Sequence, residues 1–252
     1  IASMTKPVTG VALMQLWEQG KFGLDDPIAT YLPEFANMQT SAGTDANGVV
    51  RYRAASRQIT IRDVMRHTAG FANSGAETPA HVAYTKADPS ALDHDLAEMG
   101  RRLATVPLLY DPGERWYYGI APDVQALLIE KISGQPYAAY VKQHIFDPLG
   151  MKDTAWRQPD ENFARFSAMY NLQEGKLVRV ADDINKTLNF QDNKLTPGAY
   201  GLASTLDDYM RFARMLLGNG ELDGVRLLKP STIKLMASDH LDPRITDRSW
   251  LP

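Results

Sequence analysis

The chain contains no cysteine. That excludes a disulfide framework, a thiol nucleophile and any cysteine-ligated metal centre, and it fits oxidising and reducing compartments equally. A basic excess is also missing. With 27 Lys and Arg against 30 Asp and Glu, the net charge is −3 and the pI about 6.0, so there is no electrostatic footprint for nucleic acid or an anionic membrane surface. Apolar runs are short and broken by charge, and no membrane span is expected. The histidines (His67, His81, His94, His144 and His240) never fall at metal-ligand spacing, so neither a metal nor another cofactor is expected. No serine lies between glycines at the spacing of a nucleophile elbow. Gly218-Asn219-Gly220 lacks a following Lys-Ser/Thr and reads as a helix-ending turn, not a phosphate loop. Internal repeats and low-complexity tracts are absent too.

What is present supports a sizeable core: 252 residues, 44% hydrophobic and 23% charged, enough for one or two domains. The chain begins at Ile1, two residues before a candidate nucleophile. It stops at Trp250-Leu251-Pro252, straight after the polar stretch 242–249. It therefore reads as the interior of a longer protein.

The organising stretch is Ser3-Met4-Thr5-Lys6. A helix brings positions i and i+3 onto one face, so Ser3 Oγ and Lys6 Nζ can share a hydrogen bond and make a nucleophile with its own base. An ordinary lysine is almost wholly protonated at pH 7, so this chemistry asks for a buried lysine near other cations. Val8, Val11, Ala12, Leu13, Met14, Leu16 and Trp17 give the following helix an apolar surface, and Gly20 stops it. Pro7 has no N–H for the carbonyl of Ser3, so the first turn is expected to tighten or start late. Serine and lysine are common, and spacing alone also offers Ser231 and Lys234. That second copy follows Pro230 and looks like an ordinary N-cap.

Along the chain, Asp26-Pro27 opens a short predicted helix over 28–32 that Pro33 ends. Residues 37–58 are polar, with a turn signal at Asn47-Gly48 and a short strand signal over 49–53, and read as a loop or hairpin near a cleft. Thr60 and Asp63 form a capping pair for a helix through Arg66, which His67-Thr68-Ala69-Gly70 breaks. Residues 72–90 read as loop and 92–106 as helix. After the turn Asp111-Pro112-Gly113-Glu114, helices are predicted over 122–133 and 137–146, with Gly134 and Pro148 as stops. Residues 153–200 show little periodicity, and Thr205 caps an amphipathic helix that ends at Gly218.

Four stretches together resemble the serine β-lactamase-like hydrolases, namely class C β-lactamases, D-alanyl-D-alanine carboxypeptidases and family VIII carboxylesterases. They are residues 1–6, Ile61-Arg62-Asp63-Val64-Met65-Arg66-His67-Thr68-Ala69-Gly70, Pro112-Gly113-Glu114-Arg115-Trp116-Tyr117-Tyr118, and Gly201-Leu202-Ala203-Ser204-Thr205. Their order and separations suit the family over nearly the whole chain and select Ser3 over Ser231.

The resemblance implies an α/β lobe packed on a mostly helical lobe, with the active site between them. Residues 1–240 or so would belong mostly to the helical lobe, and the strands of the other lobe would lie largely outside this chain at both ends. It also implies acyl transfer through Ser3, with Lys6 and Tyr118 sharing the proton work. Which of the two is the base stays open, and so does whether Trp116, Tyr117 and Tyr200 line the cleft or pack the core. His67 reads as a turn residue. The family's later K-T-G, H-x-G or W-x-G strand motif is not found: Lys186-Thr187-Leu188 breaks at the third position, and His67-Thr68-Ala69-Gly70 is one residue too long. That strand is expected beyond Pro252.

Where relatives read Y-x-N, this chain reads Tyr118-Gly119-Ile120. Isoleucine cannot bond a substrate amide, so Gly119 and Ile120 are expected to present an apolar subsite suited to short-chain carboxylic esters, as in the family VIII enzymes. β-Lactams would be slow or refused. The alternatives are a class C-type β-lactamase or a D-alanyl-D-alanine carboxypeptidase, and, from another class, a sensing module that has lost turnover. The expected partner is a small-molecule ester or β-lactam; oligomeric state is left open.

Overall fold

The computed structural model describes residues 1–47 and 49–246. Gly48 of the expected turn, and residues 247–252, lie outside the described residues. Helix α1 (Thr5–Glu18) is the spine of the molecule. Val8, Val11, Ala12 and Leu13 have no exposed surface, and Met14 and Leu16 almost none. The helix is thus apolar over most of its circumference, as a largely buried helix must be. Each of the buried valine, leucine and methionine side chains contributes about 1.5–3 kcal/mol. Gly20, at φ 69°, ends the run in the left-handed region.

Two 3₁₀ turns follow, Ile28–Thr30 and Pro33–Phe35. Pro27 caps the first instead of opening it, and Pro33 starts the second instead of ending a helix. A hairpin of β1 (Gln39–Thr44) and β2 (Val50–Ala54) is antiparallel, pairing Gln39 with Ala54 and Ser41 with Tyr52. Helix α2 (Ile61–Met65) is opened by the full Thr60/Asp63 capping box. Helix α3 (Pro79–Ala87) corrects the loop expected over 72–90. Its signal was Thr78 as cap with Pro79 in the first turn, since its apolar face is weak. Helix α4 (Leu96–Leu103) is shorter than the predicted 92–106, because the Asp95 side chain caps it at Glu98 N–H.

Helix α5 (Ala121–Ser133) packs along α1 and ends at Gly134. Helix α6 (Tyr137–Val141) continues through a π turn, Lys142–Phe146, into α7 (Asp147–Leu149). Pro148 therefore does not end the run at 146. The carbonyl that its missing N–H would have served, on His144, accepts instead from Gln15 Nε2 at 3.1 Å. The aperiodic stretch 153–200 holds a hairpin of β3 (Tyr170–Gln173) and β4 (Lys176–Arg179), and the short α8 (Asp182–Lys186). Helix α9 (Leu206–Leu217) starts at the Thr205 cap. A two-residue hairpin, β5 (Glu221–Leu222) and β6 (Val225–Arg226), leads to α10 (Pro230–Met236). Lys229, not Ser231, is the N-cap of α10. Among the described residues the sheets are these three two-stranded hairpins; the rest is helix and loop around one core.

Candidate active site

Pro7 shapes the approach to Ser3. Ala2–Met4 form a 3₁₀ turn, and the α-helix begins only at Thr5, whose N–H points at the carbonyls of Ala2 and Ser3. The first turn is tightened and the α-helix starts late. The Met4 carbonyl takes the Tyr209 hydroxyl at 3.0 Å, and Thr5 Oγ1 donates to the Ala2 carbonyl at 2.8 Å.

Three sequence-predicted residues converge. Lys6 Nζ donates to Ser3 Oγ at 3.0 Å, and the Tyr118 hydroxyl donates to the same oxygen at 2.7 Å. The ammonium also lies 4.4 Å from the Tyr118 ring centre. A second Lys6 hydrogen bond reaches the Ala199 carbonyl at 2.8 Å. Lys6 is half-buried, not enclosed as the chemistry was expected to require. The phenol is the group whose acidity responds: burial alone would raise the Tyr118 pKa, but its hydrogen bonds with Lys6 and Ser3 and the ammonium charge outweigh that and hold it below its ordinary value.

Tyr118 is held from behind. His67 stacks on its ring at 5.2 Å between centroids and 20° between planes, and Trp116 leans on both rings. His67 has φ 59°, so it is the turn residue expected, but the turn also aims its ring. Burial first, and the Lys6 charge second, push its imidazole down to about 4, leaving it neutral at pH 7. The turn itself hangs on Asp63, which has no exposed surface. Asp63 accepts from Arg57 at 2.6 and 3.0 Å, from Arg66 at 3.1 Å, from the Thr60 N–H at 3.0 Å and from the Thr68 hydroxyl at 3.0 Å.

Gly119 and Ile120 are placed differently from each other. Ile120 is 4% exposed and joins the core at the start of α5, so its apolar surface faces inward instead of forming a cleft wall. Gly119 faces the Asn73 carboxamide, whose Nδ2 donates to the Tyr118 carbonyl at 2.8 Å. A Cβ at 119 would lie 2.1 Å from Asn73 Oδ1. Tyr117 turns away toward His81, with its hydroxyl 2.9 Å from Nε2. Tyr200 is half-buried. A cavity of about 270 Å³ opens beside Lys6 and His67 and runs between Met14, Met65, Gln125 and Met236. The sequence reading missed Asn73 and Ala199, whose parts are played by a side-chain amide and a backbone carbonyl that no motif marks.

At the candidate site one hydroxyl, Ser3 Oγ, sits between an amine and a phenol. The beta-lactamase family model matches residues 1–249, and the chain belongs to that family. An uncharacterized protein of Mycobacterium tuberculosis is 36% identical over 253 residues, covering 100% of this chain and 61% of its own length. Esterase EstB of Burkholderia gladioli is 30% identical over 237 residues, covering 87% of this chain and 57% of its own. The solved structure of simvastatin synthase (LovD) from Aspergillus terreus superposes with a TM-score of 0.80 at 28% identity, covering 97% of this chain and 59% of that one. Acyltransferases are also among the relatives. The chain spans about three fifths of the length of the relatives it matches. The expected β-lactamase and penicillin-binding-protein-like fold, mixed helix and sheet, is the fold of these neighbours.

Proposed function

We propose that this chain carries the nucleophile and proton-transfer groups of a serine carboxylesterase for short-chain esters. The observation behind the reading is the convergence of Lys6 Nζ and Tyr118 Oη on Ser3 Oγ, at 3.0 and 2.7 Å. Tyr118, held below its ordinary pKa, takes the Ser3 proton as Oγ attacks the ester carbonyl. The Oγ–C bond forms, the C–O bond to the alcohol breaks, and the departing alkoxide receives the proton. Water then attacks the acyl-enzyme by the same proton route, releasing the acid and restoring Ser3. Lys6 stabilises the phenolate and steers it toward Oγ.

Esterase over β-lactamase rests on residue 120. With Ile120 in the core, that position offers no amide-binding group, and EstB is an esterase by name. One observation favours the β-lactamase or carboxypeptidase reading: the Asn73 amide beside Gly119 is a polar group within reach of an amide-bearing substrate. The test is kcat/KM of the full-length protein for a short-chain aryl ester and for a cephalosporin. The ester should win. A tenfold preference for the cephalosporin, about 1.4 kcal/mol in the transition state, would hand the site to the second reading. Fluorophosphonate labelling with peptide mapping should place the adduct on Ser3; an adduct on Ser231, or none, would contradict both readings.

A further inference from the structure

Asp123 is a buried acid that the mechanism above leaves unused. It is 4% exposed and lies in the first turn of α5, where an acid favours the helix dipole. Solvent-exposed first-turn acids gain that benefit without losing water, and burial here pushes the carboxyl up to about 6 against the backbone hydrogen bonds that favour its charge. The dipole does not require such burial.

The surroundings suggest a further role. Asp123 Oδ1 accepts the N–H of Ala199 at 3.1 Å. The carbonyl of that same residue accepts Lys6 Nζ at 2.8 Å, and Nζ donates onward to Ser3 Oγ at 3.0 Å. The segment carrying Ala199 is pinned elsewhere too. Thr9 Oγ1 donates to the Gly198 carbonyl at 2.6 Å, and Trp156 Nε1 donates to the Pro197 carbonyl at 2.9 Å. Gly198 lies so close to the Pro122 carbonyl that a Cβ would come within 2.1 Å of it. Lysine has a flexible four-carbon stem, and of its two anchors here only the Ala199 carbonyl is fixed by the fold.

We infer that Asp123 is a positioning residue: through Ala199 it holds Lys6 Nζ on Ser3 and over Tyr118. This rests on the reading of Ser3, Lys6 and Tyr118 as the acyl-transfer set. The titratable groups facing Asp123 are Lys6 from α1, Tyr84 from α3, Tyr137 from α6 and Tyr200 from the loop after Ala199. Burial raises all three tyrosines, so they stay neutral while the site works. Lys6 is the charged partner.

The test is the rate of fluorophosphonate labelling of Ser3 in the full-length protein from pH 5 to 10, with melting temperature measured alongside. In Asp123→Ala, labelling should fall at least tenfold. The rising limb of the pH profile should also move to higher pH, because a lysine freed from Ala199 no longer holds down the Tyr118 pKa. Asp123→Asn keeps an acceptor for the Ala199 N–H; it should keep the limb at the wild-type pH and recover part of the rate. A folded Asp123→Ala with an unmoved limb overturns the inference, even if its rate falls, since lost packing alone would do that. If Asp123→Ala does not fold, Asp123→Asn decides: a displaced limb there means that charge, not position, is what Asp123 supplies, and the inference fails. If the wild type is not labelled on Ser3, the underlying assignment fails first and takes this inference with it.

Discussion

The Tyr118 hydroxyl donates to Ser3 Oγ at 2.7 Å although 115 positions of sequence separate the two residues. The phenol is lowered from its ordinary value of 10.0 by Lys6 and Ser3, against the opposing effect of burial. If the phenolate is the base, activity should rise with pH through that lowered pKa and level off before pH 10. Tyr118→Phe keeps the ring stacked on His67 but removes the base, and kcat should fall by about 10²–10⁴-fold. A variant within a few-fold of wild type would move the base assignment to Lys6.

His67 gives an acid-side stability signature. Its imidazole titrates at about 4 in the folded protein against 6.5 ordinarily. Its folded pKa is depressed, so its contribution is complete above about pH 6.5 and is lost as pH falls toward 4. The window is worth at most about 3 kcal/mol, less for the part of the ring that water reaches. Denaturant unfolding at pH 7.5 and 4.5 should show the wild type losing more stability than His67→Phe, a variant that has no imidazole to protonate. Equal losses would show that the ring is not desolvated as the structure has it.

Asp63 is the other acid-sensitive point. Burial opposes its charge, but hydrogen bonds from Arg57 and Thr60 win and hold it at about 2. Its contribution is present above the ordinary value of 3.8 and fades as pH falls through 2. Asp63→Ala strands Arg57, Arg66 and Thr68 without their shared acceptor, and should cost about 3–5 kcal/mol by denaturant unfolding at pH 7. A loss under 1 kcal/mol would mean that the Arg57 and Arg66 guanidinium groups find water without penalty.

Two glycines near the site should respond differently to alanine. At 119 the obstructing atoms are the end of the Asn73 side chain, which can swing aside at the loss of its bond to the Tyr118 carbonyl. At 198 the obstruction is the backbone carbonyl of Pro122, and the segment cannot retreat without releasing Thr9 and Ala199. Gly119→Ala should therefore unfold within about 1 kcal/mol of wild type and show its effect in kcat/KM. Gly198→Ala should lower both stability and ester turnover. Equal melting temperatures for the two variants would contradict this.

Local order was legible at several points where a single turn of chain determines it. The Thr60/Asp63 capping box, the stops at Gly20 and Gly134 and the Thr205 cap each depend on residues within four positions, so the sequence carried them in full. Pro7 could be read the same way, because the carbonyl it orphans is four residues away. Helix α3 was hidden because its propensity signal is weak and its start is marked only by Thr78 and Pro79. Pro148 misled because the repair of its lost hydrogen bond comes from Gln15, on another helix.

At the candidate site, the i, i+3 spacing written in the sequence offered two pairs, Ser3 with Lys6 and Ser231 with Lys234, and the resemblance of the surrounding motifs chose the first. The sequence named Tyr118 only through that resemblance. Only the tertiary structure brought the phenol onto Ser3, set His67 behind it, turned Ile120 into the core, and set Asp123 and the Ala199 carbonyl in line with Lys6. The physical reason is the range of the forces. Capping and helical spacing act over one turn of backbone and are written in neighbouring residues. The depressed tyrosine and the buried carboxylate owe their states to groups on other elements, whose approach is fixed by the packing of α1 against α5 and of the loop before α9 across both.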